Sequence, residues 1–165
     1  MIRPSMEQRL ERLEAERDIL DTLYAYGHCL DAGDEAGWVD CFTAAGRWTS
    51  SSPDPGRAPV DIAGHERLSA FVANHSRRPE RFHVHIVVSP RITLGEGLRT
   101  AEATSYMFTM MRHDGIAPVL RVFGRYVDQL ERGDDGRWRF AWRHAEIDAA
   151  TPGLPSLVGG RVRGA

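Results

Sequence analysis

His83 and His85 stand two residues apart in the run Phe82-His83-Val84-His85-Ile86-Val87-Val88. Its β-branched residues make that run a strand, and alternate residues of a strand point to one face. Two imidazoles on one face can move protons near neutral pH or bind a metal. A metal centre needs a further ligand, and Ser89 stands where an HxH site would supply a downstream Glu. A metal is therefore not expected, and proton transfer is the chemistry left to weigh. A neutral imidazole that takes a proton from carbon works best with a carboxylate behind it, fixing its tautomer and stabilising the imidazolium. Asp31 is the candidate carboxylate and His85 the candidate base. Tyr24, seven residues before Asp31, lies on nearly the same helical stripe. Tyr26, five before it, lies about 140° round an ideal helix, so it converges with Asp31 only if Asp31 has left regular helix. His28, three residues from Asp31, is a rival partner for that carboxylate. The plain alternatives, a satisfied polar histidine near a strand end and a turn-forming aspartate, stay open at this level.

Trp138, Phe140 and Trp142 alternate on a last strand and read as a core stripe. Arg137, Arg139, Ala141 and Arg143 read as its opposite face. Arg143, between Ala141 and Ala145, is the arginine placed to stabilise a developing anion together with the Tyr26 hydroxyl. Met107, Phe108, Met110, Met111 and Phe123 offer apolar wall for a hydrophobic ring, with His83, Tyr24 and Tyr126 as further contacts.

The elements that must position these groups follow from punctuation. Ser5 is a helix N-cap, and apolar residues at helical spacing predict a helix from Met6 to about Leu30, either bent or two in series. Gly33 suits its C-terminal cap and Asp34 the next N-cap. A short helix then runs through Trp38, Val39 and Phe42. Arg47–Ser50 reads as a strand, Ser51–Pro59 as a loop with three prolines, and Gly64–His75 as a helix. Strands are predicted over Phe82–Leu94, Leu98–Arg112, Val119–Glu131 and Trp138–Asp148, separated by Gly- and Asp-rich turns.

Helices followed by consecutive strands is an α+β order. The expected form is a cone-shaped α+β barrel: a strongly curved, mostly antiparallel sheet with the N-terminal helices on its concave face. A single domain over 1–150 and a flexible tail over 151–165 are expected. The 165 residues are 42% hydrophobic and 27% charged, ordinary for one globular domain. A net charge of -2 gives no general field for nucleic acid or acidic membranes. All 21 basic residues are Arg. Cys29 and Cys41 form no CxxC pair and read as buried thiols of a reducing compartment. With no signal-peptide h-region at Met1–Glu7 and no spanning apolar run, a cytoplasmic protein is expected.

The order of several motifs resembles SnoaL-like proteins of the nuclear-transport-factor-2-like superfamily. They are Leu23-Tyr24-Ala25-Tyr26 with Asp31, Asp40-Cys41-Phe42, Gly46-Arg47-Trp48 and Gly64-His65-Glu66-Arg67-Leu68. His85, Ala101–Tyr106, Gly124–Asp128 and Gly136–Phe140 continue the pattern. Within that superfamily the chain is most similar to scytalone dehydratase, hexachlorocyclohexane dehydrochlorinase and the bile-acid 7α-dehydratases. The resemblance implies an Asp–His dyad at Asp31 and His85, a tyrosine at Tyr26 and an arginine at Arg143, acting without metal or organic cofactor. A second pocket histidine of scytalone dehydratase has no counterpart over Met107–Met111, and the acidic residue the bile-acid enzymes carry there is also absent. The expected function is a cofactor-independent dehydratase, lyase or isomerase acting on a small hydrophobic, cyclic substrate. Alternatives are a polyketide-type cyclase, a non-catalytic binding or assembly module, or the small structural subunit of a ring-hydroxylating oxygenase. A homo-oligomer, dimer or trimer, is expected through the outer sheet face, with no nucleic-acid or membrane partner.

Overall fold

The computed structural model describes residues 4–54, 56–77, 81–113, 115 and 117–154. The tail expected from 151 is therefore described only to 154, and residues 1–3 of the N-terminal segment also lie outside the described residues.

Ser5 caps α1 (Met6–Ala32) with a capping box, its hydroxyl accepting from Gln8 N–H while the Gln8 side chain returns to Ser5 N–H. The helix is a single 27-residue element, stopped by Gly33 in the left-handed region at φ 76°. Its first turns stand clear of the core, with Leu10 and Leu13 exposed, and burial begins at Ala15 and Ile19. Asp34 caps α2 (Glu35–Asp40), accepting from Gly37 N–H. That helix ends before Phe42, which opens β1 (Phe42–Ser51) instead of closing the helix. β2 (Val60–Ala63), which no sequence signal announced, follows the proline loop, then α3 (His65–Val72). The long strands are β3 (His83–Leu94), β4 (Thr100–His113), β5 (Ala117–Arg132) and β6 (Trp138–Ala150).

The six strands form one sheet in the order β2-β1-β6-β5-β4-β3. Four pairings are antiparallel, and β1 runs parallel to β6, so the sheet is mixed. This corrects the expected cone-shaped barrel. The sheet is open, with β2 and β3 as its two separate edges, and it is neither closed nor strongly curved. Hydrophobic alternation sets which face of a strand is buried but carries nothing about whether the outermost strands meet. The site therefore lies between one sheet face and the helices laid on it.

Their shared core is aromatic. Trp38, Phe42 and Phe140 are fully buried, with Phe42 and Phe140 ring centroids 5.3 Å apart. Burial of each such side chain contributes about 2–3 kcal/mol. A bulge in β6 sets what else enters: Gln129 pairs with Trp142 but Leu130 with Phe140, leaving Ala141 as the extra residue. Past it the faces exchange. Trp142 stacks on His144 outside the core, while Arg143 turns inward and is fully buried. This corrects the expected Trp138-Phe140-Trp142 core stripe. No helix among the described residues is long and apolar enough to cross a membrane.

Candidate active site

Asp31 lies in the last turn of α1, and both of its oxygens are committed to His85. Oδ1 is 2.7 Å from His85 Nδ1, and Oδ2 accepts from the His85 backbone N–H at 2.8 Å. A carboxylate only accepts, so Nδ1 carries the proton and Nε2 is left as a lone-pair base. Gly27, one turn before Asp31, lets the helix lie this close to β3. A Cβ there would stand 3.1 Å from the His85 carbonyl oxygen. His28 is exposed and does not take the carboxylate.

His85 also forms part of the wall of a cavity of about 70 Å³, together with Tyr26, Trp48, Phe71, His75 and Tyr126. Asp31 is not on that wall. It remains within regular helix, so Tyr26 and Asp31 point in different directions, and His85 links them: its Nδ1 faces the carboxylate while its ring reaches the cavity. The Tyr26 hydroxyl accepts from Trp48 Nε1 at 2.9 Å. Burial raises the Tyr26 phenol well above its usual range, against the pull of Arg143. It is therefore a neutral hydrogen-bond donor and acceptor at physiological pH.

His75 completes a triangle of imidazoles. Its ring centroid lies 5.3 Å from that of His83 and 5.5 Å from that of His85. Its Nδ1 donates to Ser76 O at 2.8 Å, leaving Nε2 as the acceptor nitrogen. Burial, helped by His85 and His83, brings its pKa down to about 3, so the ring stays neutral. Nothing in the local pattern marked His75, which follows α3 and meets the other two histidines only through tertiary packing.

Asp31, His83 and His85 bring three ligating atoms within 4.8 Å of one another. The ligand that the strand pattern lacked is thus offered by the helix. The 2.7 Å between Asp31 Oδ1 and His85 Nδ1 is a direct hydrogen bond. Two ligands on a tetrahedral zinc stand roughly 3.3 Å apart. His83 Nε2 is 3.6 Å from the same Asp31 oxygen. As arranged, the cluster is an acid–base site.

A model of the SnoaL-like domain matches residues 11–144. The chain belongs to the SnoaL-like family. No curated protein matches it. Among solved structures it is similar to Rv3472 of Mycobacterium tuberculosis, a protein of unknown function. The TM-score is 0.74 at 20% identity, over 92% of this chain and 83% of that one. It is similar to the β subunit of a provisionally assigned aromatic-ring-hydroxylating dioxygenase from Novosphingobium aromaticivorans, with TM-score 0.71 and 21% identity over 85% and 93% of the two chains. A provisionally assigned scytalone dehydratase from the same organism gives TM-score 0.68 and 16% identity over 93% and 97%. At these identities the likeness is one of fold.

Other residues of this SnoaL-like domain sit differently from their expected places. Arg143 is not on the cavity wall. Its Nε and Nη2 donate to the two Asp128 oxygens at 2.8 and 2.9 Å, and its guanidinium lies 4.0 to 4.3 Å from the ring centroids of Phe140, Tyr126 and Tyr26. It is enclosed behind the tyrosines and cannot touch a substrate oxygen. Burial raises the Asp128 carboxyl above its usual range, against the opposing pull of Arg143.

Met107 and Tyr126 do line the cavity of the SnoaL-like domain. Phe108 and Phe123 pair across β4 and β5, and Phe123 is 47% exposed; neither is on the cavity wall. The side chains of Met107 and Val122 take the inward positions beside them, which turns both phenylalanines to the other face. Met111 is buried but off the wall, and Tyr24 lies in an outer groove between α1 and β3. His83 is buried beside Asp31, behind the wall. Trp48, Thr109 and Arg121 are wall residues that sequence patterns did not single out.

Proposed function

We propose that this protein is a cofactor-independent dehydratase, lyase or isomerase that uses Asp31 and His85 on a small hydrophobic, cyclic substrate. The observation that carries the reading is the Asp31 Oδ1–His85 Nδ1 bond of 2.7 Å on a histidine that also forms cavity wall. His85 Nε2 takes a proton from carbon next to a carbonyl, or from carbon opposite a leaving group, and Asp31 stabilises the imidazolium. The proton is returned to the leaving hydroxyl in elimination, or to a second carbon in isomerisation. The neutral Tyr26 hydroxyl donates to the oxygen that gains charge. Arg143 holds the faces of Tyr26 and Tyr126 from behind and is a positioning residue.

The test is a panel of cyclic ketones bearing a β-hydroxyl, followed by the rise of enone absorbance, with deuterium exchange at the α-carbon as a second readout. Turnover that disappears in His85→Ala is expected. Turnover or exchange that persists unchanged in that variant sinks the reading.

The same proposal includes a homo-oligomer formed through the outer sheet face. Val88 and Tyr106 pair across β3 and β4, beside the Phe108–Phe123 pair, so one patch holds three exposed apolar side chains, Val88, Tyr106 and Phe123, with Phe108 half-buried among them. A reducing, cytoplasmic setting is supported by Cys29 and Cys41, which are free thiols.

A further inference from the structure

Among the described residues, the wall of the inner cavity carries polar side chains of three kinds. Tyr26, Ser50 and Thr109 bring hydroxyls, which both donate and accept. Arg57 and Arg121 bring guanidinium groups, which only donate. His75 and His85 are different, because each has its ring proton committed away from the cavity. His85 Nδ1 donates to Asp31 at 2.7 Å, and His75 Nδ1 donates to Ser76 O at 2.8 Å. Both Nε2 atoms are left as groups that can only accept. His85 is the base of the proposed reaction, whereas His75 has no task in it.

The two acceptors arrive from different elements. His85 stands opposite Thr109 in the β3–β4 register, so both side chains share the inward face. His75 comes from the turn after α3, where its backbone N–H donates to Val72 O at 3.0 Å. Backbone and ring are thus each held by a hydrogen bond, and the ring centroid lies 5.5 Å from that of His85. The residue is only 5% exposed. Burial keeps the ring neutral, with a pKa of about 3, so Nε2 retains its lone pair at physiological pH. An acceptor this enclosed gains most from a ligand that brings its own donor.

We infer that His75 Nε2 accepts a hydrogen bond from a ring hydroxyl of the substrate, and that His75 thereby selects hydroxylated rings over otherwise similar ones. That hydroxyl is a recognition group and not one that leaves. Departure of a hydroxyl needs a proton given to its oxygen, and a neutral imidazole with its N–H bound to Ser76 O has none to give. The ring body has room on the other side. Trp48 and Phe71 line both the cavity and a wider vestibule of about 880 Å³, and their ring centroids lie 5.0 Å apart, a flat apolar surface. The inference rests on the reading of the cavity as the substrate site, but hydroxyl recognition is separate from proton transfer.

The experiment is calorimetric titration with 2-naphthol and 2-fluoronaphthalene, whose fluorine is close to a hydroxyl in size but has no proton to donate. The wild-type protein is expected to bind the naphthol at least about ten-fold more tightly. That preference is expected to fall to about two-fold or less in His75→Phe. It is expected to survive in His75→Gln, whose amide oxygen accepts where Nε2 did, and in His85→Ala. A merely structural role for His75 would weaken both ligands alike and leave their ratio unchanged. If His75→Phe does not fold, the NMR resonance of the unprotonated His75 ring nitrogen in the wild-type protein decides. It is expected to shift with 2-naphthol and not with 2-fluoronaphthalene. Equal affinity for the two compounds, no measurable binding of the naphthol at millimolar concentration, a preference retained in His75→Phe, or an unmoved nitrogen resonance overturns the inference. So does a preference lost in His85→Ala alone, which assigns the hydroxyl to the base. A His75-dependent preference without dyad-dependent turnover keeps the hydroxyl site and removes the acid–base reading, so the two failures are distinguishable.

Discussion

Gly27 of α1 lies against the backbone of His85, close enough that a Cβ would stand 3.1 Å from the histidine's carbonyl oxygen and 3.5 Å from its Cβ. The same approach brings Asp31, one turn later, within 2.7 Å of His85 Nδ1. Helix-to-strand spacing and dyad geometry are thus a single quantity. Gly27→Val is expected to lower stability by about 1–3 kcal/mol through overpacking and to reduce kcat more than KM. Urea denaturation and steady-state kinetics of the variant check both. A variant as stable and active as wild type shows that the spacing is not critical.

For the dyad itself, His85→Ala is expected to lose at least about 10²-fold in kcat. Asp31→Asn removes the charge that stabilises the imidazolium and also weakens the bond to the His85 backbone N–H, so it is expected to be comparably severe. The double variant is expected to cost little more than His85→Ala, since residues acting as one unit are not additive. His28→Ala serves as the control and is expected to be near wild type. An inactive His28 variant beside an active His85 variant reverses the assignment.

The buried Arg143–Asp128 pair predicts a stability effect before a catalytic one. Asp128→Ala leaves a guanidinium enclosed among three rings without its carboxylate, at an expected cost of about 3–5 kcal/mol. Replacing both members, as in Arg143→Met with Asp128→Leu, is expected to recover most of that loss. Thermal melts of the three variants separate this from a direct catalytic role. Activity restored with stability in the double variant confirms positioning, and a stable but inactive double variant contradicts it.

His75 predicts a pH dependence of stability. Its pKa is about 3 when folded, below the ordinary histidine value near 6.5, so the unfolded chain binds the extra proton between these values. Stability from this group is full above about pH 6.5 and declines as the pH falls toward 3, by up to about 1.4 kcal/mol per unit. From pH 7 to 5 the loss is about 2 kcal/mol. Urea midpoints across that range should show a shallower slope in His75→Gln; an identical slope assigns the effect to other groups.

The outer patch predicts association. Light scattering is expected to show a dimer or trimer, and Phe123→Glu combined with Tyr106→Glu is expected to return a monomer. A wild-type monomer at micromolar concentration contradicts the proposed interface.

Much of the chain's local structure was readable in order along the sequence. The Ser5 cap, the Gly33 stop, the Asp34 cap and the four long strands depend on interactions among near neighbours, and so did the placement of His85 on a strand and Asp31 at a helix end. What lay beyond reach was decided by contacts between distant segments. Whether β2 and β3 meet is a property of the whole sheet, and they do not. A one-residue bulge at Ala141 moved Trp142 out and Arg143 in, because a strand of period two exchanges its faces with each inserted residue. The bulge at Arg121 brought an arginine to the cavity wall, and the turn after α3 delivered His75 to His83 and His85. The sequence by itself determined which chemical groups were at hand and on which elements they ride. Only the tertiary structure decided which of them share a cavity, since side-chain convergence depends on register and packing that local propensity does not encode.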